Sequence, residues 1–199
     1  MFVSFEGPEG AGKSTVLAEV ATRLRATGRK VVTTREPGSG EFGMKIRELL
    51  LHGADMTPPA ELFLFLADRA QHVATVIQPA LNEGKLVLCD RYVDSTFVYQ
   101  SVTRGLDPDF VSRANRFATD GLMPKTTILF DLDPEIGLAR VTKKDRLDGQ
   151  PLSFHKCVRQ GFIDLAKCEP DRWVVIDASQ SLGTVIDQVW DIVSRVSGA

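Results

Sequence analysis

The stretch GPEGAGKST, residues 7–15, limits what this chain can fold into more than any other. It follows the apolar run MFVSF and precedes the helix-periodic KSTVLAEVATRLRATG. Three glycines in nine residues make a poor helix and a poor strand, yet Gly7, Gly12, Lys13 and Ser14 fit G-x-x-x-x-G-K-[ST] without a gap. Pro8, Glu9, Gly10 and Ala11 fill the variable positions, and Thr15 follows. Glycines let the backbone curl so that successive N–H groups converge on one anion. The N-terminus of the next helix adds partial positive charge at the same point. Lys13 then reaches the β- and γ-phosphates, and the Ser14 hydroxyl suits Mg²⁺. A glycine-rich turn with an exposed lysine is the plainer alternative. The strand before and the helix after favour a nucleoside triphosphate, without separating GTPase, motor, ATPase and kinase.

The rest of the chain predicts the architecture around that loop. MFVSFE, KVVTT, KLVLCD, TTILFDL and WVVIDA read as short buried strands, with helical patterns between them. Such alternation predicts an α/β protein of the P-loop NTPase fold, a five-stranded parallel sheet with helices on both faces. The segment MTPPAELFLFLADRAQHVATVIQPALNEG opens with Thr57 as N-cap and Pro58 at the first helical position. It is apolar almost all round, which predicts a largely buried helix. No repeat, low-complexity tract or linker divides the 199 residues, so one domain over 1–199 is expected. A net charge of −2 with scattered basic residues argues against a nucleic-acid partner. The longest apolar stretches are far short of the ~20 residues of a membrane span. Three cysteines with no CxxC pair fit a reducing, cytoplasmic setting.

Two features narrow the class. No N-K-x-D guanine-reading motif is present. After the third strand comes DRYVDSTFVYQ. Asp90 falls where the sheet's C-terminal edge meets the phosphate loop, the place for a magnesium-associated carboxylate. Arg91 beside it can clamp a second phosphate in bidentate fashion. A strand-capping ion pair is the structural alternative for the two. Together they suggest phosphoryl transfer between two phosphorylated nucleotides.

The sequence resembles the thymidylate kinases of the bacterial type over essentially its whole length. The resemblance rests on FEGPEGAGKST, TREPGSGEFGMKIRELLL, ELFLFLADRAQH, DRYVDSTFVYQ, DLDPEIGLAR and DRLDGQPLSFHKCVRQGFIDLA, in order. It implies transfer of the γ-phosphoryl of ATP to dTMP, with Mg²⁺ on Ser14 and Asp90, in support of dTTP synthesis. It also implies a homodimer. By the same resemblance Glu9 contacts the sugar 3′-hydroxyl, and Arg35, Glu36 and Pro37 form the turn against the monophosphate, where Arg35 is either a phosphate ligand or a surface group. Phe65 and Arg69 share one helix face; the ring stacks on the pyrimidine and the guanidinium donates to a thymine carbonyl. The helix of Arg91, Ser95, Thr96, Tyr99 and Gln100 packs on the acceptor, with Arg91 on its phosphate, Thr96 at the base and Tyr99 against C2′. For Phe65 and Tyr99 an ordinary place in the core is the alternative.

The polar stretch of about 141–151 is expected to be a mobile lid. The bacterial type lacks a cation in the P-loop and supplies one from the lid, and residues 8–11 contain none. Lys143, Lys144 and Arg146 are therefore the candidates for the transition-state cation. The chain departs from the usual pattern in carrying lysines where lid arginines are common, and GSG in place of GGT after the REP turn. Other readings are a kinase acting on UMP or CMP, a deoxynucleoside kinase, and a nucleotide-binding switch with slow turnover.

Overall fold

The computed structural model describes residues 1–142 and 145–198. The expected strands are β1 (Phe2–Glu6), β2 (Val31–Arg35), β3 (Leu86–Asp90), β4 (Thr126–Asp131) and β5 (Trp173–Asp177), all parallel, in the order β2-β3-β1-β4-β5. The three central strands are almost wholly buried, while β2 and β5 at the edges are partly exposed. Alternate residues serve opposite faces. Val3, Phe5, Leu88, Ile128 and Phe130 pack with Val16, Val20 and Leu24 of α1 (Lys13–Ala26) and Val185, Val189 and Val193 of α9 (Leu182–Ser197). On the other face, Leu129 and Trp173 pack with Val158 and Phe162 of α8 (Leu152–Cys168). Phe2, Val87 and Cys89 meet Val73, Ile77 and Ala80 there.

The remaining helices are α2 (Gly40–His52), α3 (Pro58–His72), α4 (Gln78–Asn82), α5 (Val93–Thr96), α6 (Pro108–Ala118) and α7 (Pro134–Arg140). Among the described residues no helix is long and apolar enough to cross a membrane. Two expectations need correction. The long apolar helix is α3 and α4 joined by a π-helical turn, Val73–Ile77, and it is not buried all round. Phe63 is 56% exposed, and Ala67, Ala70, Gln71 and Ala74 are exposed with it. Apolar composition fixed the helix but not the number of faces that meet the core. Thr57 does hold the N-cap position with Pro58 behind it, but its hydroxyl makes no capping bond.

A second π turn, Phe97–Val102, follows α5. Such a turn carries an extra residue and rotates the side chains that follow it. Ser95 and Thr96 of α5 and Tyr99 and Gln100 of this turn share one cavity wall. The chain leaves β1 toward β2 and leaves β3 toward β4, in opposite directions across the sheet. A ligand crevice is expected outside the C-terminal ends of strands at such a reversal.

Candidate active site

The loop after β1 takes the conformations its glycines allow: φ is +140° at Gly7, +68° at Gly10 and +85° at Gly12. Gly10 is also required by space, since a Cβ there would stand 2.0 Å from the Gly137 carbonyl oxygen of α7. The first turn of α1 contains no acidic residue, so its N-terminal charge stays available to an anion. Lys13 Nζ donates to the carbonyls of Gly7 at 2.9 Å and Pro8 at 2.7 Å. Burial pulls its amino group down to about 8, and Arg91 adds to this against the opposing charges of Asp90, Glu9 and Glu6. The Ser14 hydroxyl donates to the Asp90 carboxylate.

Beside this loop lies a cavity of about 350 Å³, within the range of small-molecule sites. It brings together Glu9, Lys13, Ser14, Arg35, Phe65, Arg69, Asp90, Arg91, Ser95, Thr96, Tyr99 and Gln100. These come from the loop after β1, the start of α1, the ends of β2 and β3, α3 and the α5 segment. Arg91 has φ of +68°, unusual for a side-chain-bearing residue. Its amide bonds to the Phe5 carbonyl at 3.0 Å, and the next amide, of Tyr92, donates to Glu6 Oε1 at 2.7 Å. Glu6 Oε2 accepts the Ser95 hydroxyl at 2.6 Å, and Ser95 accepts Arg91 Nη1 at 3.1 Å. Burial, with Asp94 nearby, pushes the Glu6 carboxyl up to about 8.

Arg91 Nη2 approaches Glu9 Oε1 at 3.3 Å, and its guanidinium lies 5.2 Å from the centre of the Tyr99 ring. Glu9 also accepts the Tyr99 hydroxyl and meets His155 Nδ1 at 3.3 Å. Burial opposes ionisation of Glu9, but His155, Arg91 and Lys13 outweigh it and hold the carboxyl at about 2. Glu9 is thus a carboxylate anchored between Arg91, Tyr99 and His155 on the cavity wall.

Arg69 is 1% exposed and densely bonded. Nε donates to Glu36 Oε2 at 2.8 Å, Nη1 to Thr96 Oγ1 at 2.8 Å and Asn115 Oδ1 at 2.7 Å, and Nη2 to the Tyr92 carbonyl at 3.0 Å. Nη2 also pairs with Glu36 at 2.7 Å. This differs from a guanidinium held free for a base: its N–H groups already face protein acceptors. Burial forces that arrangement, because an unpaired buried charge is costly. Thr96 accepts from Arg69, so its own hydroxyl proton can turn to a ligand. Phe65 lines the cavity half-buried, while Arg35 lines it exposed.

Of the expected lid cations, Lys143 and Lys144 lie outside the described residues. Arg146 does not line the cavity. Its Nε donates to the Leu50 carbonyl at 2.9 Å and its Nη2 pairs with the buried Glu61 of α3. Leu147, from the same polar stretch, is 8% exposed and packs in the core beside α8. Arg146→Ala is expected to cost about 2 kcal/mol of stability, less than the ~3–5 of a fully broken buried pair, because Arg104 and Gln100 still reach Glu61. That is roughly 4–8 °C in the thermal midpoint. An unchanged midpoint with a large loss of turnover would instead return Arg146 to the role of transition-state cation.

Several site residues escape sequence reasoning. His155 reaches Glu9 across 146 positions. His72 bonds Glu36 at 2.8 Å and Thr34 at 2.7 Å. Glu6 and Gly137 gave only a strand end and a helix glycine. The local signal for Glu6 was a carboxylate at the last position of a buried strand.

The family model described as thymidylate kinase matches residues 5–189. The chain is 49% identical to the thymidylate kinase of Synechococcus sp. (strain JA-2-3B'a(2-13)) over 193 residues, 97% of this chain and 94% of that one. It is 46% identical to that of Deinococcus radiodurans over 199 residues, 98% of this chain and 97% of that one. The solved thymidylate kinase of Ehrlichia chaffeensis superimposes with a TM-score of 0.76 at 34% identity, covering 88% of this chain and 91% of that chain.

Proposed function

The chain belongs to the thymidylate kinase family, and from that premise we propose that it moves the γ-phosphoryl of ATP onto dTMP, giving dTDP and ADP for dTTP synthesis. The observation that carries this reading is one cavity lined by Lys13, Arg91 and Phe65. A donor-phosphate lysine, a second phosphate clamp and an aromatic wall then face a single acceptor. An acceptor monophosphate is already an anionic nucleophile, so the protein's task is positioning and charge neutralisation. Lys13 and the N-terminus of α1 take the donor phosphates. Arg91, backed by Ser95 and Glu6, takes the acceptor phosphate, with Arg35 at the rim.

Glu9 accepts the 3′-hydroxyl, and Tyr99 stands at C2′. Phe65 stacks on the base, Thr96 donates to its O4 with Arg69 behind it, and Gln100 accepts from N3–H. Gln100 suits that part because it is fully buried and its Oε1 has no partner among the described residues. The adjoining hydroxyl and carboxylate of Ser14 and Asp90 are hard oxygen donors that suit Mg²⁺. When bound there, the ion neutralises β- and γ-phosphate charge. The segment of about 141–151 acts as the lid, with Val141, Leu147 and Asp148 already at the cavity wall.

A homodimer is supported by large apolar side chains exposed on adjacent helices: Phe42, Met44 and Leu49 on α2, Phe63 on α3, and Phe110 and Phe117 on α6. Phe117 alone is 91% exposed. Patches of this kind mark association surfaces. The free thiols of Cys157 and Cys168 are exposed, which suits a reducing cytoplasm.

The test is a panel of nucleosides and monophosphates with ATP and Mg²⁺, read as ADP release. dTMP is expected to be the best acceptor. dUMP, lacking one methyl, should fall roughly 10–200-fold in kcat/KM. dCMP should be used least, because its amino group and bare N3 oppose the donor at Thr96 and the acceptor at Gln100. Equal use of dCMP and dTMP would remove the thymidylate reading, and preference for an unphosphorylated nucleoside would remove Arg91 from the acceptor phosphate.

A further inference from the structure

We infer that Glu61 is a positioning residue for base choice: it dictates which end of the Gln100 amide faces the acceptor base. The inference rests on the proposed reading of the cavity as a pyrimidine monophosphate site.

Glu61 sits in the first turn of α3, 1% exposed, and does not itself line the cavity. Gln100 lines the cavity from the π turn after α5, 0% exposed. Its Nε2 donates to Glu61 Oε1 at 2.8 Å, which leaves Oε1 of the amide without a partner among the described residues. Glu61 Oε1 also meets Arg104 Nε at 3.5 Å, and Oε2 pairs with Arg146 Nη2. Two guanidinium groups therefore flank the Glu61 side chain.

A carboxylate accepts and cannot donate, whereas an amide has one end of each kind. Turning Gln100 over would set its carbonyl against the carboxylate and leave a buried repulsion. So the NH₂ end must face Glu61, and only an acceptor remains for the ligand. Thymine and uracil carry a proton on N3 and satisfy that acceptor. Cytosine presents a bare lone pair at N3 and does not. Glu61 thereby writes a preference into the cavity without touching the base. A neutral amide at position 61 can offer either end, and it removes the constraint on Gln100.

The experiment is Glu61→Gln, with specificity constants for dTMP, dUMP and dCMP and a thermal midpoint for the fold. The dTMP:dCMP ratio is expected to fall at least about tenfold, with dCMP use rising in absolute terms. The dTMP:dUMP ratio should stay within about twofold of native, because both bases carry N3–H. A purely structural loss would lower all three together and leave both ratios unmoved; that result in a folded variant overturns the inference while dTMP preference in the native enzyme still stands. If the native enzyme does not prefer dTMP to dCMP, the cavity reading and the inference fall together. Should E61Q not fold, the double variant E61Q/Q100E carries the test, since it keeps one carboxylate and one amide in contact and an acceptor toward the base. It is expected to retain dTMP over dCMP, and loss of that preference overturns the inference.

Discussion

Lys13→Ala is expected to fold normally and to lose about 10²–10³ in turnover, the usual consequence of removing one electrostatic donor from a transition state. The fold should survive because Lys13 is tied only to its own loop, through the Gly7 and Pro8 carbonyls. The side chain makes no capping bond to α1, whose N-cap is Gly12. Burial holds the amino group at about 8. Phosphate raises it again by stabilising the charged form. Binding of ATP therefore takes up a proton above pH 8, and ATP affinity falls as the pH rises through that value. Calorimetry in buffers of different ionisation enthalpy reads this uptake directly, and in Lys13→Ala it should vanish. Native turnover in the folded variant would remove Lys13 from the chemistry. A pH-independent native affinity would show that the free enzyme keeps the lysine charged throughout.

The phosphate loop was legible because its requirements are local. Positive φ at Gly7, Gly10 and Gly12, a lysine and a hydroxyl at the helix start all fall within nine consecutive residues. The strands were legible for a similar reason: five short apolar runs between helical patterns allow little but a parallel sheet. Asp90 and Arg91 followed from that, since the end of β3 must lie beside β1.

What stayed hidden depends on distant residues meeting. Glu61 acquires Gln100, Arg104 and Arg146 across 39, 43 and 85 positions, and no spacing rule encodes such a meeting. Arg146 illustrates the consequence. A cation in a polar stretch looks free in sequence, but a buried carboxylate one helix away supplies a strong reason for it to be bound. The exposed face of α3 was hidden for the opposite reason. An apolar stripe reads the same whether it meets the core or another surface, so Phe63 and Ala67 carried no mark of their exposure.

Arg69→Met is expected to have the largest effect on stability in this protein, about 3–5 kcal/mol, because it removes one member of a buried ion pair and leaves the other. Among the described residues Glu36, 4% exposed, would keep its side-chain contact with His72 alone. Asn115 Oδ1, Thr96 Oγ1 and the Tyr92 carbonyl would each lose a donor. In a domain of this size the thermal midpoint should fall by roughly 6–20 °C. Arg69→Met with Glu36→Gln should recover part of that loss, since the charge left buried is then gone. The two costs adding fully, with no recovery, would mean that Arg69 and Glu36 do not act as a pair. Catalysis supplies a second reading of the same variants. If Arg69 works by presenting Thr96 to the base, the folded double variant, assayed well below its midpoint, should bind ATP normally and lose specificity for dTMP. Loss of ATP binding would place the damage at the phosphate loop, and an unchanged dTMP specificity constant would make Arg69 a residue of the fold alone.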